Sequence, residues 1–311
     1  METRRIGSLD VTLVGLGCNN FGGRLDEQRS VAVIDAALEA GITLFDTADV
    51  YGGTQSEEIL GRALRGRRDH VVIATKFGLA LDDERKGASP AYVRRAVEDS
   101  LRRLQTDWID LFQLHRPDPA TPIGETLAAL DDLVRSGKVR ELGCSNVSGT
   151  QLGEAEAAAR PGAARFVCVQ NEYSLLVRDA ERGVLPEVRA RGLAFLPYFP
   201  LASGVLSGKY RRGAPAPAGT RLAGADSRLG ERFLTDANLE VVETLSIYAA
   251  RRGHTLLELA FSWLAAQSSV SSIIAGATTP AQVRANVAAP TWQLNTGELR
   301  ALDEIVWPRA V

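Results

Sequence analysis

Eight short apolar runs, each followed by a stretch with helical spacing or a break, leave this chain few ways to fold. The runs cover residues 12–16, 42–45, 71–75, 109–114, 139–144, 166–170, 194–198 and 272–275. Runs of this length and composition, bounded by turn residues, read as strands. Between them lie capped helical patterns. Asp26 precedes 27–40, which closes at Gly41; Ser89-Pro90 opens 91–104; Thr121-Pro122 precedes 124–136, which closes at Gly137; Ser148 opens 149–159. An oxygen-bearing side chain or a proline at the start and a glycine at the end deal with the backbone groups a helix leaves unpaired. Ala96, Val97, Leu101 and Leu104 are spaced for one buried helix face.

Strand, helix, strand repeated with short connections implies a parallel sheet with right-handed crossovers, either open and doubly wound or closed into a barrel. Eight strands in 311 residues fit an α/β fold of the (β/α)8 TIM-barrel type, for which ~250 residues is typical. The reading is one barrel domain over 1–311, with an N-terminal β-hairpin around Ile6-Gly7-Ser8-Leu9 and a C-terminal extra helix over 296–306. Two more helices are expected over 236–252 and 255–266. A doubly wound domain joined to a second domain requires a compositional seam, and none is visible. Residues 208–231, rich in Gly, Ala, Pro and Arg, fit neither element and are expected as a loop over the barrel mouth.

Composition narrows the partners. A formal net charge of -2 gives no global pull toward nucleic acid or a membrane surface, and no run nears the roughly 18 apolar residues of a membrane span. The start, Met1-Glu2-Thr3-Arg4-Arg5, lacks the apolar core of a signal peptide. Cys18, Cys144 and Cys168 are odd in number and widely separated, which points to a reduced, cytoplasmic setting and no metal site. Locally read small molecules are the expected ligands. Oligomeric state is not legible.

Four polar residues stand at the ends of these runs. Asp46 ends Ile42-Thr43-Leu44-Phe45-Asp46, Lys76 ends Val71-Val72-Ile73-Ala74-Thr75-Lys76, His115 ends the run from Ile109, and Tyr51 follows Asp46 by five residues. In a parallel barrel the carboxyl ends of the strands carry the site, so these tips converge. A free phenol titrates near ~10. A neighbouring ammonium, anchored by a carboxylate, favours its ionised form and so makes it a better acid. Lys76 is the expected cation, Asp46 its anchor, and His115 a second hydrogen-bonding group for the same oxygen or the substrate carbonyl. Taken singly, an Asp at a strand end is more often a cap, a loop Tyr packing and a Lys solvated; the joint placement carries the argument. Gly15-Leu16-Gly17 lacks the third glycine of a dinucleotide fingerprint, Asn20 standing there.

The stretches Gly41-Ile42-Thr43-Leu44-Phe45-Asp46-Thr47-Ala48-Asp49-Val50-Tyr51-Gly52, Ala74-Thr75-Lys76 and Leu111-Phe112-Gln113-Leu114-His115-Arg116-Pro117-Asp118 resemble the aldo-keto reductase superfamily, of bacterial type, across essentially the whole chain. The resemblance implies a (β/α)8 barrel reducing a small-molecule carbonyl substrate with a nicotinamide cofactor, through a tetrad of Asp46, Tyr51, Lys76 and His115 with Tyr51 as general acid. It also implies a cofactor-binding set. Gly17, Cys18 and Asn19 would line the nicotinamide; Ser145, Asn146 and Gln170 would bind its carboxamide, beside Asp46; Tyr198 would stack on its ring. The run Phe199, Pro200, Leu201, Ser203, Gly204 to Lys209 would wrap the pyrophosphate, and Gly276, Thr278, Gln282 and Asn286 would hold the adenosine end. Substrate would meet Phe21, Tyr51, Phe77, His115 and Arg116. NADPH is the expected cofactor and NADH the alternative, because Thr278 and Thr279 stand where many members carry a basic residue; Arg284, Arg211, Arg212 and Arg221 are candidates to replace it. Phe199 stands where a Ser is common. Arg116-Pro117-Asp118-Pro119 resembles also the branch containing potassium-channel beta subunits, which implies a cofactor-binding regulatory protein as the alternative function.

Overall fold

The computed structural model describes residues 1–223 and 228–307. A two-stranded antiparallel hairpin, β1 (Thr3–Ile6) and β2 (Leu9–Thr12), comes first. The strands β3 (Val14–Gly17), β4 (Leu44–Asp46), β5 (Val72–Phe77), β6 (Ile109–Leu114), β7 (Val139–Ser145), β8 (Phe166–Glu172), β9 (Ala194–Tyr198) and β10 (Ile273–Gly276) then form a closed parallel barrel in chain order, sealed by β10 against β3. This is the (β/α)8 barrel that the alternation of runs and helices implies. The first run shifts, because Thr12 pairs with Thr3 in the hairpin and leaves the barrel strand to start at Val14.

Alternation along each strand sorts the side chains into two cores. Leu44, Ala74, Leu111, Cys168, Ala194, Leu196 and Ile274 point inward and pack against Ile6, Leu9 and Val11 of the hairpin, which closes the amino-terminal end as a floor. Their neighbours Phe45, Ile73, Phe112, Cys144, Val169 and Phe195 point outward into the larger core shared with the helices. The hairpin is tied down by Ser8 N–H donating to Glu141 Oε1 at 2.7 Å and by the Arg4 guanidinium donating to the carbonyls of Val270 and Ala265.

Three of the helix starts the sequence marks carry side-chain caps, Pro122 precedes Ile123–Arg135 without one, and Thr255, expected as the first residue of a helix, is its cap. Asp26, Ser89, Ser148 and Thr255 each accept from a backbone N–H in the first turn of their helices, and the last helix is Thr296–Val306. Gln55–Ala63, Leu185–Ala190 and Arg228–Phe233 are helices that the pattern reading did not supply. The last of them begins inside 208–231, of which residues 224–227 lie outside the described residues. No described helix is long and apolar enough to cross a membrane. All three cysteines are free and buried.

Helix Gln55–Ala63 crosses helix Pro90–Leu104 at Gly61, where an added Cβ would fall 2.6 Å from the backbone of Arg103 and Leu104. The obstacle is backbone and cannot rotate away. Gly61→Ala is therefore expected to lower stability by about 1–3 kcal/mol despite alanine's better helix propensity, read as a lower urea midpoint at unchanged slope. Beside this crossing, buried Glu57 takes Arg103 Nε at 2.6 Å and Thr75 Oγ1 at 2.6 Å, bracing β5 against the helices.

Candidate active site

The carboxyl end of the barrel carries the polar side chains. Gly17, Asp46, Lys76, Gln113, Ser145, Gln170, Tyr198 and Gly276 lie on the inward register, one on each of the eight barrel strands. Lys76 is fully buried and donates to Asp46 Oδ2 at 2.7 Å and to the Thr47 carbonyl at 2.8 Å. Asp46 Oδ1 accepts from Gln170 Nε2 at 2.8 Å and from Gln113 Nε2 at 3.3 Å. A buried ion pair tolerates its loss of water only when remaining lone pairs are satisfied in this way.

Tyr51 follows β4 on a tight loop. Gly52 and Gly53 both take the left-handed conformation, and a Cβ on Gly52 would fall 2.4 Å from the Phe21 carbonyl, so only glycine lets this loop close against the β3 end. The Lys76 ammonium stands 5.2 Å from the Tyr51 ring centroid, and the His115 ring meets Tyr51 edge-on at 5.8 Å. All four tetrad residues are thus brought together. Their electrostatics differ from the sequence expectation in one respect: burial raises the Tyr51 phenol pKa above its ordinary value, and Lys76 only partly offsets it. Burial also opposes the Lys76 ammonium, yet Asp46 and Tyr51 leave its pKa raised. Burial, Lys76 and Arg116 push His115 down to about 3, so it stands as neutral imidazole, with Nδ1 buried and unpartnered among the described residues. Behind the loop, burial and Glu57 push Asp49 up to about 7, with the Tyr92 hydroxyl donating to it at 3.4 Å.

Next to the tetrad, Ser145 Oγ donates to the Gln170 carbonyl at 2.7 Å. Asn146, itself in a left-handed conformation, donates through Nδ2 to the His115 carbonyl at 2.9 Å and accepts from Tyr198 Oη at 2.8 Å. The chain after β9 turns through positive φ at Phe199, Ala202, Ser203 and Gly204, with Ala202 N–H donating to the Phe199 carbonyl and Gly204 N–H to the Leu201 carbonyl, both at 2.8 Å. Ser203 Oγ is buried there without a partner among the described residues. Lys209 Nζ lies over Gly204, 2.9 Å from where a Cβ would stand. Arg24 and Arg221 face this lysine. Burial and this mutual repulsion lower the pKa of Lys209 and Arg221, and none of the three has a carboxylate partner among the described residues. Arg221 instead donates to Asn20 Oδ1 at 3.0 Å and Asn19 Oδ1 at 3.4 Å, its guanidinium 5.5 Å from the Phe199 ring. Three cations around a small-residue turn fit a diphosphate.

On the far side of β10, Gln282 Oε1 accepts from Thr278 N–H at 2.7 Å and Thr278 Oγ1 at 3.0 Å, and Thr279 caps helix Pro280–Ala288. Asn286 is buried in that helix and Arg284 is exposed on it. Pro200 and Leu201 lead into the turn. Three assigned side chains point elsewhere. Phe77 follows inward-facing Lys76, so it faces the helices, fully buried and stacked on Phe112 at 4.7 Å. Cys18 follows inward-facing Gly17, and its buried thiol contacts the Leu16 carbonyl at 3.6 Å, while its N–H donates to the Asp46 carbonyl. Phe21 is fully buried in the same outer core. Arg116 is exposed beside His115. Arg24 gave no sequence signal; Gln113 did, as a polar residue on the inward period of an apolar run. No described group of three His, Cys, Asp or Glu is placed to hold a metal.

A closed parallel barrel whose mouth gathers a buried lysine–carboxylate pair, a phenol, a neutral imidazole and a cationic turn has the arrangement of a barrel oxidoreductase. Residues 13–306 match the model of the Aldo/keto reductase family. The chain is 34% identical over 306 residues to aldo-keto reductase YhdN of Bacillus subtilis (strain 168), covering 96% of this chain and 91% of that protein. It is 35% identical over 301 residues to a probable voltage-gated potassium channel subunit beta of Arabidopsis thaliana, covering 93% and 91%. The glycerol dehydrogenase AKR11B4 from Gluconobacter oxydans superimposes with a TM-score of 0.83 at 32% identity, covering 98% of this chain and 94% of that one. The chain belongs to the aldo/keto reductase family, and is a nicotinamide-dependent oxidoreductase of the carbonyl-reducing kind.

Proposed function

We propose that this chain, working as one barrel domain, reduces an aldehyde or ketone to an alcohol, with NADPH as the preferred hydride source and Tyr51 as proton donor. The observation that carries the reading is the convergence of Tyr51, the Lys76–Asp46 pair and His115 on one point of the mouth. Bound there, the dihydronicotinamide supplies hydride from C4. Ser145, Asn146 and Gln170 would hold its carboxamide, Tyr198 one face of its ring, and the 199–204 turn with Lys209, Arg24 and Arg221 its diphosphate; Gly276 to Asn286 would hold the adenosine end.

The rest of the work belongs to the chain. Tyr51, kept as a neutral phenol by burial, aims its proton at the carbonyl oxygen, and Lys76 stabilises the phenolate left behind. Neutral His115 donates a second hydrogen bond to that oxygen. Donors fixed in advance at a developing oxyanion contribute about 3 kcal/mol each to lowering the barrier. A channel-associated relative supports the regulatory alternative, but an intact His115 beside Tyr51 favours turnover.

The test is loss of nicotinamide absorbance on mixing protein, NADPH or NADH, and an aromatic aldehyde. Turnover supports the reading; tight cofactor binding without turnover moves it to the regulatory alternative. Lys209→Met and Arg221→Leu are each expected to weaken NADPH binding roughly tenfold, the scale of one charge-assisted contact. Titration of cofactor fluorescence checks this, and the salt dependence of the dissociation constant should fall in both variants.

A further inference from the structure

Asp46 has two carboxylate oxygens, and Lys76 occupies only Oδ2. Oδ1 accepts from two amides, Gln170 Nε2 and, at 3.3 Å, Gln113 Nε2. Gln113 is wholly buried on the inward register of β6, between Leu111 and His115. Its Oε1 has no donor among the described residues, so the carboxylate alone orients the amide: turned over, it would set two oxygens against each other. β7 makes room for it, since a Cβ on Gly143 would fall 2.9 Å from Gln113 Cγ. An apolar side chain in this position would avoid burying an unpaired carbonyl. The amide is there for its N–H.

The geometry points to Gln113 as a positioning residue of the carbonyl-reducing site: it fixes the plane of the Asp46 carboxylate so that Oδ2 stays on Lys76, and so governs the charge that Tyr51 feels. This rests on the reading of the site given above. The χ2 torsion of an aspartate is soft, and two amide donors on one oxygen lock it. The other titratable groups close enough to act on the pair are Tyr51 and His115, both neutral, and the thiols of Cys18, on the outer side of the barrel wall, and Cys168, which burial keeps protonated. Lys76 and Asp46 are therefore the charges that Gln113 acts on.

The experiment compares kcat against pH, from about 5 to 9, for the parent, Gln113→Leu and Gln113→Glu, using NADPH and an aromatic aldehyde. Glutamate keeps the shape of glutamine. Protonated, it donates to Asp46 Oδ1 as the amide does; ionised, it sets a second negative charge against Asp46 and disfavours proton loss from Tyr51. Gln113→Glu is expected to approach parental kcat at the acid end and to lose about tenfold as pH rises through one new ionisation. Gln113→Leu should lose roughly tenfold at every pH, the scale of one hydrogen bond to a charged group, with KM for the aldehyde and NADPH affinity within about twofold. If Gln113→Leu fails to fold, the limb in Gln113→Glu decides. A Gln113→Glu profile parallel to the parent's overturns the role of Gln113 while the reductase reading stands; a parent that reduces no carbonyl overturns both.

Discussion

Tyr51→Phe should bind NADPH as the parent does and reduce almost nothing. The substitution removes one oxygen and leaves the ring against His115 and over Lys76, so the barrel, the cofactor groove and the Lys76–Asp46 pair are untouched. A positioned general acid contributes on the order of 10²- to 10⁴-fold, and the hydroxyls of Tyr198 and Ser145 at the mouth already donate to Asn146 Oδ1 and the Gln170 carbonyl. The expected result is a fall in kcat of that size with cofactor affinity unchanged within about threefold, measured by steady-state kinetics beside fluorescence titration. Equal rates in parent and variant would sink the proton-donor role, and loss of cofactor binding would show that the hydroxyl serves the groove instead.

Lys76→Met is expected to cost both activity and fold. Methionine fills the stem's space but leaves Asp46 buried with two amide donors and no counter-ion. Removing one partner of a buried pair destabilises by about 3–5 kcal/mol. Removing both partners is far cheaper, so Asp46→Leu combined with Lys76→Met should recover most of the urea midpoint while remaining inactive. If the double variant is no more stable than the single one, the pair is not the unit that the 2.7 Å contact implies.

Much of this is legible in the sequence alone. Eight apolar runs with capped helices between them admit few topologies, and the tetrad tips follow from the rule that strand ends gather at one face. What failed did so for a physical reason. The resemblance puts Phe77 and Cys18 in the site beside Lys76 and Gly17, but the period of a strand is two, and the neighbour of an inward side chain points outward. Counting from Lys76 would have put Phe77 in the outer core. Tyr51 acidity was read from charge alone, and burial, which a sequence does not display, proved the larger effect. Arg24 meets Lys209 and Arg221 through loops whose paths no pattern in the chain encodes.

The seal between β3 and β10 joins residues 14–17 to 273–276, and Arg4 reaches Ala265 and Val270. On the ribosome, therefore, the first barrel strand waits for a partner made after all the other barrel strands, and until then the sheet has two open edges. Lys76 and Asp46 lie within the first third of the chain and can meet early, but they meet in water. Their desolvation is deferred to the final closure, so the step that completes the barrel is also the step that makes the site electrostatically competent. A nascent or truncated chain lacking β10 would hold every tetrad residue and still have no dry lysine to present to a phenol.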